Sequence, residues 1–236
     1  MKASSRSVSS AQQAPHRDLE ALVRRHSEHP YMKPVLEYNR QAFAAAMLAW
    51  REWDGETPLV LDAGCGVGWS TLQLAEQFPD HFVLGVDQSL DRLNRGKPLP
   101  LPNNAAFVRA DLVDFWRLLR AADVQLARHY LLYPNPWPKI SHLARRWHGH
   151  PVFPTLLSLG GRLECRSNWQ VYVEELAQAI KLLTGLSVEV ENFVPEIEPL
   201  TPFEAKYLAS GHCLYRLALR LSPQNRESAR TLPWRC

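Results

Sequence analysis

The sequence lacks the features that mark several common protein classes. Its four cysteines lie far apart, without a CxxC pair or a histidine at metal-ligand spacing, which argues against a zinc module and a disulfide scaffold. No run approaches the roughly 18 consecutive apolar residues that a membrane span needs. We therefore expect a reduced cytoplasmic protein that neither crosses a membrane nor holds a metal.

Net charge is also low, and this leaves the choice of partner open. Lys and Arg number 27 against 24 Asp and Glu, which gives a formal net charge of +3. The sequence pI is nevertheless about 8.7, and the basic residues occur in clusters, so an anionic partner is permitted. A chain of 236 residues with 46% hydrophobic side chains is long enough for one sizeable α/β core.

The two ends of the chain are polar and predict no core structure. The N terminus is rich in Ser and Arg and has no apolar signal core, so we predict a disordered basic tail over residues 1 to 17. A transit peptide is the alternative interpretation of the same composition. We predict one domain over residues 18 to 222 and a second loose tail over residues 223 to 236.

Apolar runs alternate with segments of helical period along the whole domain. Apolar residues recur at helical spacing over residues 18 to 30 and 34 to 53, before the first strand pattern. Strand-like runs follow at residues 58–63, 82–87, 105–111, 124–134, 160–168, 187–193 and 212–221. Alternation of strands and helices is typical of parallel sheets with helical crossovers. We predict a doubly wound, mostly parallel seven-stranded sheet with an N-terminal helical extension.

A glycine-rich turn follows the first predicted strand. Gly64, Gly66 and Gly68 lie where a helix begins, and glycines there let the backbone turn tightly and approach a ligand. The spacing is G-x-G-x-G, and Trp69 stands where a dinucleotide fingerprint has Gly or Ala, so NAD fits less well. A glycine turn alone is also common after a buried strand.

Acidic residues close three successive predicted strands. Asp62 ends the first strand, Asp87 the second and Asp111 the third. Ligands of such sheets bind at the carboxyl ends of the strands, where Asp87 can accept both hydroxyls of a ribose and Asp111 can meet an adenine amino group. Capping of the next helix is the alternative for Asp87. The arrangement resembles the class I methyltransferases that use S-adenosylmethionine, which implies that Asp62 orders the glycine loop and the methionine end of the cofactor.

The run YPNPWPKISHLARR, residues 133 to 146, combines three prolines with a basic cluster. Prolines fix φ at alternate positions, so this corner can present the side chain of Asn135 at one place. Trp137 either stacks on a base or packs against the fold. The cations that follow, on a predicted helix start, suit phosphate groups, although a solvated basic face has the same composition.

This run also resembles the P-D-P-W-x-K-x-x-H-x-x-R-R signature of the tRNA (guanine-N7)-methyltransferases. RSNWQVYVEE resembles the family's T-D-x-x-x-Y-x-E segment and TPFEAK its T-x-F-E-x-[KR] segment, and the likeness extends from about Leu59 to Leu219. The resemblance implies methyl transfer from S-adenosylmethionine to N7 of a guanine in tRNA, or in another structured RNA, by a monomer. It implies three sets of site residues: Asn135, His142 and Arg145 as catalytic; Asp62, Gly64, Gly66, Gly68, Asp87, Asp111 and Asn135 for the cofactor; Lys139, Arg146, Asn168, Thr201 and Glu204 for the substrate.

Two positions depart from the family pattern in the same direction. Asn135 and Asn168 each stand where the family has Asp. An amide keeps an oxygen acceptor but loses the charge that strengthens its hydrogen bonds. Three alternatives therefore stay open: methylation of an exocyclic amine, methylation of another RNA, and a relative that binds RNA or cofactor without turnover.

Overall fold

The structure, a computed structural model, describes residues 5 to 96, 100 to 195 and 198 to 222. The predicted tail over residues 223 to 236 lies outside the described residues. Eight α-helices are present in the described part: α1 Leu19–Glu28, α2 Glu37–Trp53, α3 Trp69–Gln77, α4 Leu90–Leu93, α5 Leu112–Ala121, α6 Phe153–Ser158, α7 Gln170–Thr184 and α8 Pro202–Ala209. Seven strands accompany them: β1 Leu59–Ala63, β2 Phe82–Asp87, β3 Ala105–Arg109, β4 Leu126–Leu132, β5 Gly161–Ser167, β6 Glu191–Asn192 and β7 Tyr215–Leu221.

All seven strands form one sheet in the order β3-β2-β1-β4-β5-β7-β6. The first five strands are parallel, and β7 and β6 complete the sheet in antiparallel pairings. The chain reverses its direction of winding between β1 and β4, which are neighbours, and this is the position where open α/β sheets bind ligands. The predicted fold class is confirmed.

The central strands are apolar because helices cover both faces of the sheet. Every residue of β1 and of β2 is buried, which explains why both segments are nearly continuous runs of hydrophobic side chains. The N-terminal helices belong to the same body, since α1 contacts α7 and α2 contacts β3 and α5. Leu19 and Val23 of α1 enter the main hydrophobic core.

Two predicted elements differ from the observed ones. The strand expected over residues 187 to 193 is reduced to Glu191–Asn192, which pairs only with β7 at the sheet edge and has both residues exposed. An edge position gives apolar alternation little to pack against. The helix expected after the prolines is instead a 3₁₀ turn, Ile140–Arg145.

Residues 5 to 17, where a disordered tail is predicted, contact the folded domain. The Ser10 hydroxyl donates to the carbonyl of Pro138 at 2.6 Å, and Gln12 Nε2 donates to the Glu175 carboxylate at 2.7 Å. These partners lie more than a hundred residues away along the chain, so composition gives no sign of them. Residues 5 to 16 are called the strap below.

Among the described residues, none of the helices is long and apolar enough to cross a membrane. The same part of the chain contains no group of three or more His, Cys, Asp or Glu side chains that is arranged to hold a metal ion.

Candidate active site

The glycine loop, residues 64 to 68, connects β1 to α3 through three left-handed backbone positions. Gly64, Gly66 and Gly68 have φ values of +81°, +60° and +82°, which strain any residue with a side chain. A Cβ built on Gly66 meets no atom within 4 Å, so the backbone conformation, and not crowding, requires glycine there. The loop thus leaves open space beside Gly66, where a cofactor can lie along the backbone.

Asp62 holds the glycine loop to the helix that follows it. Its side chain is buried, with 1% exposure, and one carboxylate oxygen accepts the Ser70 and Thr71 hydroxyls at 2.6 and 2.7 Å. Burial raises the pKa of Asp62 to about 6, although both hydroxyls oppose this shift. The structure therefore places Asp62 behind the loop, where it ties β1 to the first turn of α3.

Asp87 ends β2 and is joined to the glycine loop directly. One oxygen accepts the Gly66 amide at 3.0 Å, and the other accepts the Ser89 amide at 2.8 Å. Arg92 adds an ion pair at 3.2 Å, and its side chain is 44% exposed. The sequence patterns did not indicate Arg92, which lies beside the one carboxylate best placed for a ribose.

Asp111 lies at the same edge after β3, where it caps α5. Its carboxylate accepts the Val113 amide at 2.8 Å, and its own amide donates to the buried side chain of Asn39 at 3.0 Å. The capping role that was considered for Asp87 thus belongs to Asp111. The strand order places Asp111 one strand beyond Asp87 at this edge, and its contact with adenine stays a prediction.

The proline corner, residues 133 to 138, leaves β4 with an unusual backbone. Tyr133 and Trp137 have φ values of +52° and +46°, a region that bulky residues rarely adopt. Asn135 lies between them with an exposed side chain, and its oxygen accepts the Trp137 amide at 3.3 Å. The corner therefore holds Asn135 at the surface in a tight turn, with strain on both sides of it.

Trp137, His142 and Arg145 form a cluster behind the corner. The Arg145 guanidinium lies 4.8 Å from the centre of the Trp137 ring, and the His142 ring meets the same indole edge-on at 5.5 Å. Burial, followed by the charges of Arg145 and Lys139, lowers the pKa of His142, so we assign it a neutral ring at pH 7. Lys139 and Arg145 are exposed and are the cations that can reach a phosphate.

Arg146 does not occupy the place expected of a substrate-binding residue. Its side chain is fully buried, and its guanidinium pairs with Glu175 at 2.5 Å. The remaining donors bond Gln12 Oε1 at 3.0 Å and the carbonyls of Trp137 and Lys139 at 3.1 and 3.3 Å. Arg146 is thus held inside the fold, and the sequence pattern could not separate it from its exposed neighbour Arg145.

The predicted base-reading residues lie directly after β5 and at the start of α8, and each already has a partner within the chain. Asn168 bonds the His212 ring at 3.2 Å, and the Thr201 hydroxyl accepts the Glu204 amide at 3.0 Å as the cap of α8. Glu204 is fully buried and accepts from Arg166 at 2.9 and 3.2 Å. Burial raises the pKa of Glu204 against the opposing charge of Arg166.

Arg166 and the cap of α8 were not predicted, although one of them had a sequence signal. The pattern Thr201-x-x-Glu204 has the spacing of a capping box, which indicates a helix start as readily as a base contact. Arg166 had no such signal, because its partners Glu164 and Glu204 come from different parts of the chain. The lining of a cavity of about 910 Å³ includes Trp69, Arg166 and Thr201. The cavity thus connects the α8 region to the first residue of the helix after the glycine loop.

A family model described as "Putative methyltransferase" matches residues 56 to 217. The chain is 30% identical over 190 residues to a tRNA (guanine-N(7)-)-methyltransferase of Paraburkholderia xenovorans, which covers 75% of this chain and 72% of the relative. A protein of the same name from Actinobacillus succinogenes is 28% identical over 177 residues, with 70% of each chain covered.

Solved structures share the fold at low sequence identity. An antibiotic-related methyltransferase superposes with a TM-score of 0.53 at 14% identity, over 83% of this chain and 98% of the other. The 16S rRNA methyltransferase KamB superposes with a TM-score of 0.52 at 18% identity, over 74% of this chain and 93% of the other. At these identities the likeness shows the class I methyltransferase fold and nothing finer.

Proposed function

The chain belongs to the tRNA (guanine-N7)-methyltransferase family, and on that premise we propose that it methylates N7 of a guanine in tRNA. S-adenosylmethionine supplies an electrophilic methyl group when it is bound. The observation that carries the proposal is the adjacency of β1 and β4, whose carboxyl ends lead into the glycine loop and the proline corner. Both meet at the position where the sheet reverses its winding.

The residues at the cofactor edge fit this donor. Asp87 is an acceptor for ribose hydroxyls, and the open space above Gly66 gives a ligand access to the loop backbone. Asp111 lies one strand further along the same edge, on the side expected for adenine. Arg92, which is half exposed, neutralises Asp87 and has room to move when a ribose competes for its carboxylate.

The reaction at N7 explains why a catalytic base is not needed. N7 of guanine bears a lone pair and no proton, so the site has to align the two reactants and exclude water. A neutral His142 agrees with this chemistry. We propose that Asn135 bridges cofactor and base, and that Lys139 and Arg145 bind phosphate beside Trp137.

Recognition of the guanine edge is proposed for Asn168, Thr201 and Glu204. The N1–H and 2-amino groups of guanine are donors and need acceptors. The Glu204 carboxylate has about four acceptor sites, and after Arg166 and Tyr133 have used three of them, one is left for a donor of the base. Because Glu204 is buried, we expect tRNA to move α8 or the segment before it when the base enters.

The test is nucleoside mass spectrometry of unmodified tRNA after incubation with the protein and labelled S-adenosylmethionine. We expect labelled 7-methylguanosine with the wild type and none with Asp87→Ala, while Asp80→Ala, an exposed acid at the opposite end of β2, matches the wild type. A labelled exocyclic amine would support the amine-directed alternative, which Asn135 favours. Tight binding of adenosylhomocysteine without any transfer would identify a binding relative.

A further inference from the structure

The strap, residues 5 to 16, lies outside the segment that the family model matches. It contacts the proline corner at Pro138 and, through His212, the side chain of Asn168. We propose that the strap positions Asn135 and Asn168 for methyl transfer, with Gln12 as its central positioning residue. This inference rests on the proposed function and concerns how its site is held.

Gln12 is buried, and its side-chain amide both donates and accepts a hydrogen bond. Its Nε2 donates to Glu175 at 2.7 Å, and its Oε1 accepts from Arg146 at 3.0 Å. Glu175 and Arg146 are themselves an ion pair without exposure to solvent. A side-chain amide offers a donor to the carboxylate and an acceptor to the guanidinium at the same time, so a glutamine fits this position.

Gln12, Arg146 and Glu175 form a buried cluster, called the node, and Arg146 connects this node to the proline corner by hydrogen bonds. Its guanidinium donates to the carbonyls of Trp137 and Lys139, which lie two and four positions after Asn135 in the chain. Trp137 has the strained φ of +46°, a conformation that persists only where surrounding contacts determine it. Ser10 adds a hydrogen bond to the Pro138 carbonyl between these two points.

The ion pair in the node is stable at neutral pH. Although burial opposes ionisation, the hydrogen bond of His148 and the charge of Arg146 lower the pKa of Glu175 to about 2. Its carboxylate also accepts the His16 amide at 2.9 Å, so the strap is bound at two points. The node therefore keeps the strap on the fold through the whole physiological pH range.

The start of the strap reaches the second asparagine. The Ser5 amide donates to the Ser210 hydroxyl at 3.0 Å, and the Ser5 carbonyl lies 3.0 Å from His212 Nε2. Nδ1 of the same ring bonds the Asn168 side chain at 3.2 Å. With the Nε2–H tautomer, His212 donates to the strap and accepts from Asn168, so one segment connects the two asparagines that depart from the family pattern.

The experiment compares Gln12→Ala with Gln125→Ala in the full chain. Gln125 is an exposed glutamine next to the amino end of β4, away from the proline corner. Hydrogen exchange is measured at the amides of Trp137 and His142 and, as reference, in β1. We expect Gln12→Ala to speed exchange at the Trp137 and His142 amides about tenfold and to leave β1 unchanged, because the lost bonds are local.

Methyl transfer is measured on the same proteins. We expect kcat to fall at least about fivefold in Gln12→Ala while the Kd for adenosylhomocysteine stays within about twofold. Unchanged exchange at the corner overturns the inference, and so does faster exchange in β1 and the corner alike, which marks a general loss of stability. A change in exchange with no methyl transfer by the wild type supports the positioning role and contradicts the proposed function, so the two failures are distinguishable.

Discussion

The glycine loop and the proline corner leave adjacent strands at the same edge of the sheet, yet they are held by different kinds of contact. The carboxylates of Asp62, Asp87 and Asp111 accept from groups within about twenty residues of themselves along the chain. The corner instead depends on Gln12 and Glu175, which lie more than a hundred residues apart in the chain. The glycine loop and its carboxylates are thus held by contacts between segments close in sequence, whereas the proline corner is held by segments distant in sequence.

The largest expected effect is the loss of stability on substitution of Arg146, with its exposed neighbour Arg145 as the comparison. Arg146→Ala leaves Glu175 and His148 buried without their cation, so we expect the free energy of unfolding to fall by about 3 to 5 kcal/mol in urea titration. Arg145→Ala is the matched control, with a change within about 0.5 kcal/mol because the side chain is exposed. Equal losses from both substitutions would contradict the buried role of Arg146.

Removal of the Asp87 carboxylate, the proposed acceptor for the ribose hydroxyls, tests the cofactor site at the glycine loop. We expect Asp87→Ala to weaken adenosylhomocysteine binding about 100-fold or more in calorimetry, because two hydrogen bonds to a charged acceptor are lost. Asp80→Ala serves as the control, since Asp80 is exposed before β2. A Kd within about threefold of the wild type would show that the cofactor does not rest on Asp87.

The raised pKa of Asp62 predicts a pH dependence with a definite sign. Folding favours the protonated form, since burial raises the pKa from 3.8 to about 6, so this contribution to stability is present below pH 3.8 and is lost as pH rises through 6. Relative to Asp62→Asn, the wild type should lose about 2 to 3 kcal/mol of unfolding free energy between pH 4 and 7. Parallel pH curves for the two proteins would contradict a buried, titrating Asp62.

A smaller effect, on tRNA affinity, is expected from the exposed cations Lys139 and Arg145. We expect Arg145→Ala to weaken tRNA binding about five- to tenfold and to reduce the slope of log K against log salt by about 1, since one phosphate contact is lost. Lys139→Ala should give a similar change at the same surface. An unaltered salt slope for both variants would place the phosphate contacts elsewhere.

The smallest effect concerns the two departures from the family. Restoring carboxylates in an Asn135→Asp, Asn168→Asp double variant should raise kcat a few-fold, because an ionised acceptor makes hydrogen bonds about twice as strong as a neutral one. The measurement is the initial rate of methyl transfer at saturating tRNA. A fall in that rate would mean that this chain uses the amide donors of its asparagines.

The sequence predicted what local patterns determine. Continuous apolar runs predicted β1 and β2 because strands covered on both faces need them, and the glycine turn predicted its left-handed backbone. It could not predict that Arg146 is buried, because burial depends on Glu175 and Gln12 meeting it in space. The ion pair of Glu204 with Arg166 was hidden for the same reason.

The central claim is methyl transfer to N7 of guanine at the junction of these two regions. Reduction followed by aniline treatment cleaves RNA at 7-methylguanosine, so it tests that claim at the level of the atom methylated. We expect one cleavage site in tRNA treated with the wild type and cofactor, and none after treatment with Asp87→Ala. Label incorporated into tRNA without any such cleavage would contradict it.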